Sequence, residues 1–308
     1  MIDTHGLTKR YGRITAVSGI DLQVRPGDIF GFLGANGSGK TTTVRMLLGL
    51  VLATSGEIEV LGQPMPRASG AVLARVGALV EGPAAYAHLS GRANLALSDA
   101  AGPARPRRTR AGRIEQALQR VGLDGVDGRP VRAYSLGMRQ RLGIAAALLG
   151  EPELLILDEP TNGLDPQGIH EMRTLLQELN RQGVTVFLSS HLLAEVEQLC
   201  TRVAVLDRGS LIMQEELADV RRETGNVLVT VAEPAAVQRA RTLLGDRLVS
   251  ADGAGLVVRS NDPAGLNAAL VAAGVPVSEL RVERRSLEEV VLSLSRSSAD
   301  RFTREPGA

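Results

Sequence analysis

The sequence is poor in cysteine and in long apolar runs. Cys200 is the only cysteine, which excludes an intrachain disulfide and a thiolate metal cluster. No apolar run approaches the roughly 18–20 residues that a membrane-spanning helix requires. Residues 1–10 are polar and lack the apolar core of a signal peptide. We therefore expect the protein to stay inside the cell.

The sequence also lacks a charge imbalance, and lysine is nearly absent from it. The formal net charge is +1 over 308 residues, so overall charge does not favour a nucleic-acid partner. Only Lys9 and Lys40 of the 35 basic residues are lysine. A lysine kept at position 40 indicates a need for a compact point charge instead of the planar fork of arginine.

Short apolar segments alternate with helical patterns over the first 220 residues. The predicted strands are 14–24, 29–33, 58–61, 76–80, 154–157, 184–188 and 203–206. Buried strands that alternate with helices favour a largely parallel α/β sheet covered on both faces. Between about 82 and 150 the strand patterns stop, and helical patterns at 114–121 and 136–149 predict a helical insertion in this core.

The pattern changes near residue 225, and the length of the chain allows a second domain there. The predicted order is strand 227–231, helix 235–244, strands 248–251 and 256–259, helix 264–273, strand 277–282 and helix 287–294. This order predicts a small split βαβ domain. We expect a nucleotide-binding domain over 1–222, with its helical subdomain at about 82–150, a small C-terminal α+β domain over 226–296, and a disordered tail over 297–308.

A basic run extends from Arg105 to Arg113 inside the predicted helical insertion. Its proline and glycine residues predict a solvated connection. A nucleic-acid contact is the alternative, but no aromatic residue is interleaved with the arginines to stack on bases. We therefore expect no nucleic-acid partner.

A glycine-rich segment follows the predicted strand 29–33 and precedes a helical pattern. It matches the phosphate-binding motif GxxxxGK[ST], and this context disfavours an ordinary glycine-rich turn. Glycines allow consecutive backbone N–H groups to point at phosphates, and a helix N-terminus adds positive partial charge. Lys40 can reach the β- and γ-phosphates, and the Thr41 hydroxyl can ligate Mg²⁺. The candidate ATP-binding residues here are Gly34, Ala35, Asn36, Gly37, Ser38, Gly39, Lys40, Thr41 and Thr42.

Two carboxylates end the apolar run 154–157. Asp158 can hold Mg²⁺, directly or through water. Glu159 is then suited to act as the general base that polarises the attacking water. Taken alone, the pattern also describes a strand that simply ends in polar residues. Together with the glycine-rich loop, it predicts a nucleotide hydrolase.

The segment 134–142, with the sequence YSLGMRQRL, distinguishes between families of such ATPases. It resembles the signature Ser-x-Gly-x-x-Gln of ATP-binding cassettes, and the other motifs agree in order and spacing over about residues 2–220. The resemblance implies an α/β P-loop core with an antiparallel edge sheet and a helical subdomain. It also implies that two copies of the chain enclose two ATP molecules and drive a separate transmembrane permease, so that the chain lies at the inner face of the membrane.

The resemblance assigns roles to residues outside the two nucleotide motifs. It implies that Tyr11 stacks on adenine and that His191 contacts the γ-phosphate, although a surface aromatic and a histidine at a helix start are the alternatives. The signature residues implied to contact the partner's ATP are Ser135, Gly137 and Gln140. Asp165 is similar to the loop that crosses the dimer interface, but before Pro166 it equally predicts a helix cap.

Glu81 departs from the family pattern, which usually has glutamine at this place. The resemblance implies that Glu81 faces the Mg²⁺ and the attacking water. The substitution is similar to that of the bacitracin, lantibiotic and drug export ATPases, and 287–291 resembles the end of the C-terminal domain common in them. We therefore predict the ATPase subunit of an exporter.

The alternatives are a cytosolic cassette ATPase acting on ribosomes or DNA, an importer subunit, and a cassette that no longer hydrolyses ATP. A single cassette without sustained heptads disfavours the first. Glu81 and the predicted C-terminal domain disfavour the second, and intact Lys40, Asp158 and Glu159 disfavour the third.

Overall fold

The computed structural model describes residues 1–102 and 106–302, and beyond residue 294 it describes the backbone alone. The chain divides into two compact units, of which one contains Met1–Leu217 together with the chain from Ser293 onward, and the other contains Ala218–Leu292. The division lies a few residues before the predicted boundary between 222 and 226.

The first unit contains two sheets and the helices around them. Its strands are β1 Ile2–Tyr11, β2 Ile14–Ile20, β3 Gln23–Val24, β4 Ile29–Leu33, β5 Ser55–Val60, β6 Gln63–Pro64, β7 Val76–Leu79, β8 Leu154–Asp158, β9 Thr185–Ser190, β10 Arg202–Asp207 and β11 Ser210–Glu216. Its helices are α1 Lys40–Leu47, α2 Ser69–Leu73, α3 Gly91–Ala101, α4 Arg110–Arg120, α5 Leu136–Leu148, α6 Pro166–Arg181 and α7 Leu193–Leu199, with α8 Leu217–Val220 at the boundary.

The central sheet has the strand order β11-β10-β4-β9-β8-β7. All neighbouring strands are parallel except the antiparallel edge strand β11. Every residue of β4, β8 and β9 is buried, which explains why these strands are continuous apolar runs in the sequence. The predicted parallel α/β core is confirmed.

The second sheet is antiparallel, with the order β2-β1-β5-β6 and β3 paired to β1. The apolar patterns do not predict β1, because its buried positions include Thr4. The Thr4 hydroxyl donates to the carbonyl of Ile20 at 3.0 Å and accepts from the N–H of Leu22 at 2.9 Å. These two bonds satisfy the buried hydroxyl of Thr4. A buried position of β1 is therefore polar, and the strand shows no apolar run in the sequence.

Helices α3, α4 and α5 lie between β7 and β8. The sequence patterns do not predict α3, which Ser90 caps by accepting from the N–H of Ala93 at 3.2 Å. The basic run is not simply solvated, because Arg110 and Arg113 donate to Asp99, whose side chain is 3% exposed. This clamp joins α3 to α4, and the expectation of a solvated connection is wrong for these two arginines. Arg105 lies outside the described residues.

The second unit contains an antiparallel sheet with two helices. Its strands are β12 Glu223–Val231, β13 Leu248–Asp252, β14 Gly255–Arg259 and β15 Val277–Arg284, and its helices are α9 Val237–Leu244 and α10 Pro263–Ala272. The sheet order is β13-β14-β12-β15, and the core includes Val229, Leu256 and Leu270. The predicted α+β region is confirmed.

The last helix, α11 Leu287–Phe302, includes the first part of the predicted disordered tail 297–308. The tail as a separate disordered segment stays a prediction. The sequence from 297 to 302 has no glycine or proline, so nothing in it breaks the helix begun at Leu287. Residues 303–308 lie outside the described part of the chain. Within the described residues, no helix has both the length and the apolar character needed to cross a membrane.

Candidate nucleotide-binding site

The glycine-rich loop 34–39 connects the end of β4 to the start of α1. Gly37 and Gly39 have φ values of 81° and 106°, a region that side chains rarely adopt. A Cβ on Gly39 would lie 2.4 Å from the carbonyl oxygen of Ala16, and a Cβ on Gly34 would lie 2.5 Å from that of Leu206. The loop therefore has room for backbone alone at these two positions.

Lys40 begins α1 and bends back over the loop. Its Nζ donates to the carbonyl oxygens of Gly34 at 2.7 Å and Ala35 at 3.3 Å. The same Nζ lies 3.3 Å from Oε1 of Glu159, and the Lys40 side chain is 5% exposed. These three oxygen atoms occupy the three donors of the ammonium, so a phosphate would bind Lys40 by exchange with one or more of them.

Glu159 follows β8 in a left-handed backbone conformation, with φ of 51°. Its Oε2 lies 2.7 Å from Nδ1 of His191, which follows β9. The structure thus brings the predicted base and the predicted γ-phosphate sensor into direct contact, beside Lys40.

Ser189 holds the two carboxylate residues in place. Its hydroxyl donates to Oδ1 of Asp158 at 2.5 Å and accepts from the N–H of Glu159 at 3.0 Å. Asp158 and Ser189 are neighbours in the parallel ladder between β8 and β9. The sequence predicts a role for His191 but none for Ser189, although a serine directly after the apolar run 184–188 is a usable signal.

Lys40, Glu159 and His191 border a cavity of about 420 Å³, within the range of small-molecule sites. It is lined by Ala16, Asn36, Gly37, Gly39, Lys40, Thr41, Thr42, Glu159, Asn162 and His191. Ala16 is an addition to the predicted site residues. Asn162, in the segment before Asp165, also lines the cavity.

Several predicted residues lie outside this cavity lining, namely Gly34, Ala35, Ser38 and Asp158 next to it, and Tyr11 and Glu81. Tyr11 is on β1 with 47% of its surface exposed. Glu81 forms an ion pair with Arg45 of α1, and its side chain is 62% exposed. This arrangement differs from the expectation that the Glu81 carboxylate faces the Mg²⁺. In the structure the carboxylate contacts the Arg45 guanidinium, and neither residue lines the cavity.

The signature residues and Asp165 also lie outside the cavity lining. Ser135 caps α5 by accepting from the N–H of Met138 at 3.2 Å, and Asp165 caps α6 by accepting from that of Gly168 at 2.8 Å. The capping alternative for Asp165 is therefore present. Gln140 is buried, and its Oε1 has no hydrogen-bond partner among the described residues. The contacts of Ser135, Gly137, Gln140 and Asp165 with a second molecule's ATP stay predictions.

The residues of the cavity fit a nucleotide with its metal ion. In the part of the chain that the structure describes, no cluster of three or more His, Cys, Asp or Glu side chains could hold a metal alone. Asp158 is buried at the end of β8, and Thr41 lines the cavity. A carboxylate and a hydroxyl suit Mg²⁺ when phosphate oxygens complete its ligands, so any Mg²⁺ here is tied to the nucleotide.

Comparison with known proteins agrees with this geometry. The family model described as ABC transporter matches residues 17–162. The bacitracin transport ATP-binding protein BcrA of Bacillus licheniformis is 47% identical over 69% of this chain and 68% of its own length. The daunorubicin resistance ATP-binding protein DrrA3 of Streptomyces coeruleorubidus is 38% identical over 96% of this chain and 95% of its own.

A solved structure extends the likeness to the fold. The cbiO1 protein of Clostridium perfringens, described as part of the ABC transporter complex cbiONQ, superposes with a TM-score of 0.66 at 28% identity. The match covers 71% of this chain and 89% of that one. With the phosphate-binding loop, the adjoining carboxylates and similarity along nearly the whole chain in agreement, the protein belongs to the ABC transporter family as one of its ATP-binding, ATP-hydrolysing subunits.

Proposed function

We propose that this chain is the ATPase subunit of an exporter for antibiotics or related drugs. The observation that carries the proposal is the contact of Lys40, Glu159 and His191 around a nucleotide-sized cavity. Similarity to proteins named for bacitracin transport and daunorubicin resistance supports the class of cargo. The chain works at the inner face of the membrane through a separate transmembrane permease.

In the proposed reaction, Glu159 accepts a proton from the water that attacks the γ-phosphate. The bond from the γ-phosphorus to the oxygen that bridges to the β-phosphate breaks, and ADP and phosphate are the products. His191, whose Nδ1 lies 2.7 Å from Oε2 of Glu159, orients that carboxylate, and with both ring nitrogens protonated it also donates to the phosphate from Nε2. Lys40 binds the phosphate oxygens in the loop. Thr41 and Asp158 would hold Mg²⁺, which supplies neutralisation of the phosphate charge.

A second copy of the chain completes the proposed site. Ser135, Gly137, Gln140 and Asp165 of each copy then contact the ATP bound in the loop of the other. The N-terminus of α5, with Ser135 as its cap, is suited to a phosphate. A relative that belongs to a transporter complex, cbiO1, supports an assembly with membrane subunits.

The second unit serves assembly with the partner subunit or the permease in this proposal. All residues lining the nucleotide cavity lie at or before His191. A chain that ends at Gly225 should therefore keep ATP binding, while transport or assembly is weakened. If this shortened chain folds and binds no ATP, the proposed division of roles is wrong.

The experiment expresses the chain in a drug-sensitive bacterium together with a candidate permease, chosen from the gene neighbourhood by its membrane spans. Efflux of bacitracin, a lantibiotic and daunorubicin is measured, with Lys40→Ala as the matched control. We expect efflux of at least one compound that Lys40→Ala abolishes. ATP-dependent uptake, or co-sedimentation with ribosomes without any efflux, contradicts the exporter and supports an importer subunit or a ribosome-bound ATPase.

A further inference from the structure

Lys9 and Tyr11 lie two residues apart on β1, so their side chains share one face of the strand. The Lys9 Nζ lies 4.9 Å from the centroid of the Tyr11 ring. The same Nζ donates to the carbonyl oxygen of Leu52 at 2.7 Å. Because the Tyr11 residue is 47% exposed, the ring keeps a side that is open to a ligand.

The hairpin that carries Tyr11 also lines the nucleotide cavity. Tyr11 pairs with Ile14 across a turn in which Gly12 has φ of 58°. Between the pairs Lys9↔Val17 and Arg10↔Thr15, β2 has one more residue than β1, which makes Ala16 a bulge. The Ala16 bulge lines the cavity beside Gly39, so the hairpin connects the Tyr11 ring to the phosphate loop.

We propose that Lys9 is a positioning residue that holds the Tyr11 ring ready for the base of the nucleotide. The proposal rests on the proposed stacking role of Tyr11. A cation within about 6 Å of an aromatic centroid is attracted to the face of the ring. The hydrogen bond to the Leu52 carbonyl fixes this cation, so it restricts the tilt of the ring and leaves the opposite face for a purine.

The chemistry of lysine suits this place. Its ammonium has three donors, so it can lie over a ring and bond to a carbonyl at the same time. The chain uses arginine for its other basic residues except Lys40. The alternative is a purely structural role, in which Lys9 connects β1 to the segment after α1 and has no effect on binding of the base. The two roles differ in whether Lys9 distinguishes a nucleotide from its phosphate chain alone.

The test compares the binding of ATP with that of inorganic tripolyphosphate, which lacks the base, by calorimetry on the full-length chain. We expect Lys9→Met to weaken ATP binding measurably and at most about fivefold, which is the full value of an exposed cation–π contact, and to leave tripolyphosphate binding unchanged. Lys9→Arg should keep most of the ATP affinity, because it restores a cation. Arg10→Met is the matched control, because Arg10 is exposed and projects from the opposite face of β1.

A double-mutant cycle with Tyr11→Leu separates a positioning role from a direct contact. If Lys9 acts through the ring, Lys9→Met in the Tyr11→Leu background causes no further loss of ATP affinity. Equal losses for ATP and tripolyphosphate, an undiminished loss in the Tyr11→Leu background, or unchanged ATP binding in Lys9→Met each overturn the proposal. Failure of the unaltered chain to bind either compound would contradict the proposed function itself, and thermal unfolding of each variant identifies a folding defect.

Discussion

The Glu81 carboxylate and the Arg45 guanidinium form an ion pair between the segment that follows β7 and helix α1. Arg45 lies on the helix that Lys40 begins. Glu81 itself has φ of 60°, and Gly82 follows with φ of 90°. The pair therefore links the phosphate-binding helix to the start of the helical insertion, through a segment with an unusual backbone.

We expect Glu81→Gln and Arg45→Met to leave ATP hydrolysis by the isolated chain nearly unchanged. Both side chains are substantially exposed, and such pairs contribute about 0–1 kcal/mol to stability. ATPase rates and urea unfolding measure the two effects. A more than tenfold loss of hydrolysis in Glu81→Gln, with a normal rate in Arg45→Met, would show that Glu81 reaches the nucleotide.

Glu81→Ala should reduce cargo efflux more than hydrolysis, because it removes the link to the helical insertion.

Glu159→Gln should reduce turnover by about 10²–10⁴-fold, because the amide keeps the shape of the side chain and loses the base. ATP binding should persist, and the variant should accumulate as an ATP-bound dimer in size-exclusion chromatography. Glu153→Gln is a suitable control, because that exposed carboxylate pairs with Arg75 just before β8. Wild-type turnover in Glu159→Gln would assign the base to another group.

Lys40→Arg should damage ATP binding almost as much as Lys40→Ala. The Lys40 ammonium is buried and bonds to the loop carbonyls of Gly34 and Ala35. A guanidinium is larger and planar, so it does not fit a place shaped for a point charge. Equilibrium binding of ATP to both variants is the measurement, and near-normal affinity in Lys40→Arg would disprove the steric argument.

Asp99→Asn should lower the free energy of unfolding by about 3 kcal/mol near neutral pH, because it leaves Arg110 and Arg113 without their anion. Burial raises the pKa of the Asp99 carboxyl, but the hydrogen bonds from Arg110 and Arg113 outweigh it and hold this pKa below its usual value. The carboxylate therefore stabilises the protein above its unfolded-state pKa, and this contribution is lost as the pH falls through the folded-state pKa. Urea unfolding at pH 7 and at pH 3 should show the difference between the two proteins shrink in acid, and a pH-independent difference would contradict the electrostatic explanation.

The sequence predicts the parts of this protein that depend on neighbours along the chain. Strands β4, β8 and β9 are buried on both faces, so each is a continuous apolar run, and the phosphate-binding loop is one contiguous motif. Contacts between distant segments are not visible in such patterns. Three such contacts join residues more than ten positions apart: Ser189 with Asp158, Arg113 with Asp99, and Arg45 with Glu81. Each depends on the folded sheet or helices to bring the two residues together.

Glu159 has a left-handed backbone that favours glycine, whereas the proposed reaction requires a carboxylate at this position. A left-handed backbone lowers the stability of the fold by roughly 1–2 kcal/mol when the residue is not glycine. Here that residue is Glu159, which the reaction needs as a base. Glycine at position 159 would relieve that cost and remove the carboxylate. Selection of variants for thermal resistance alone would therefore favour an inactive enzyme, and glutamate persists at this position through its chemistry and against its conformational preference.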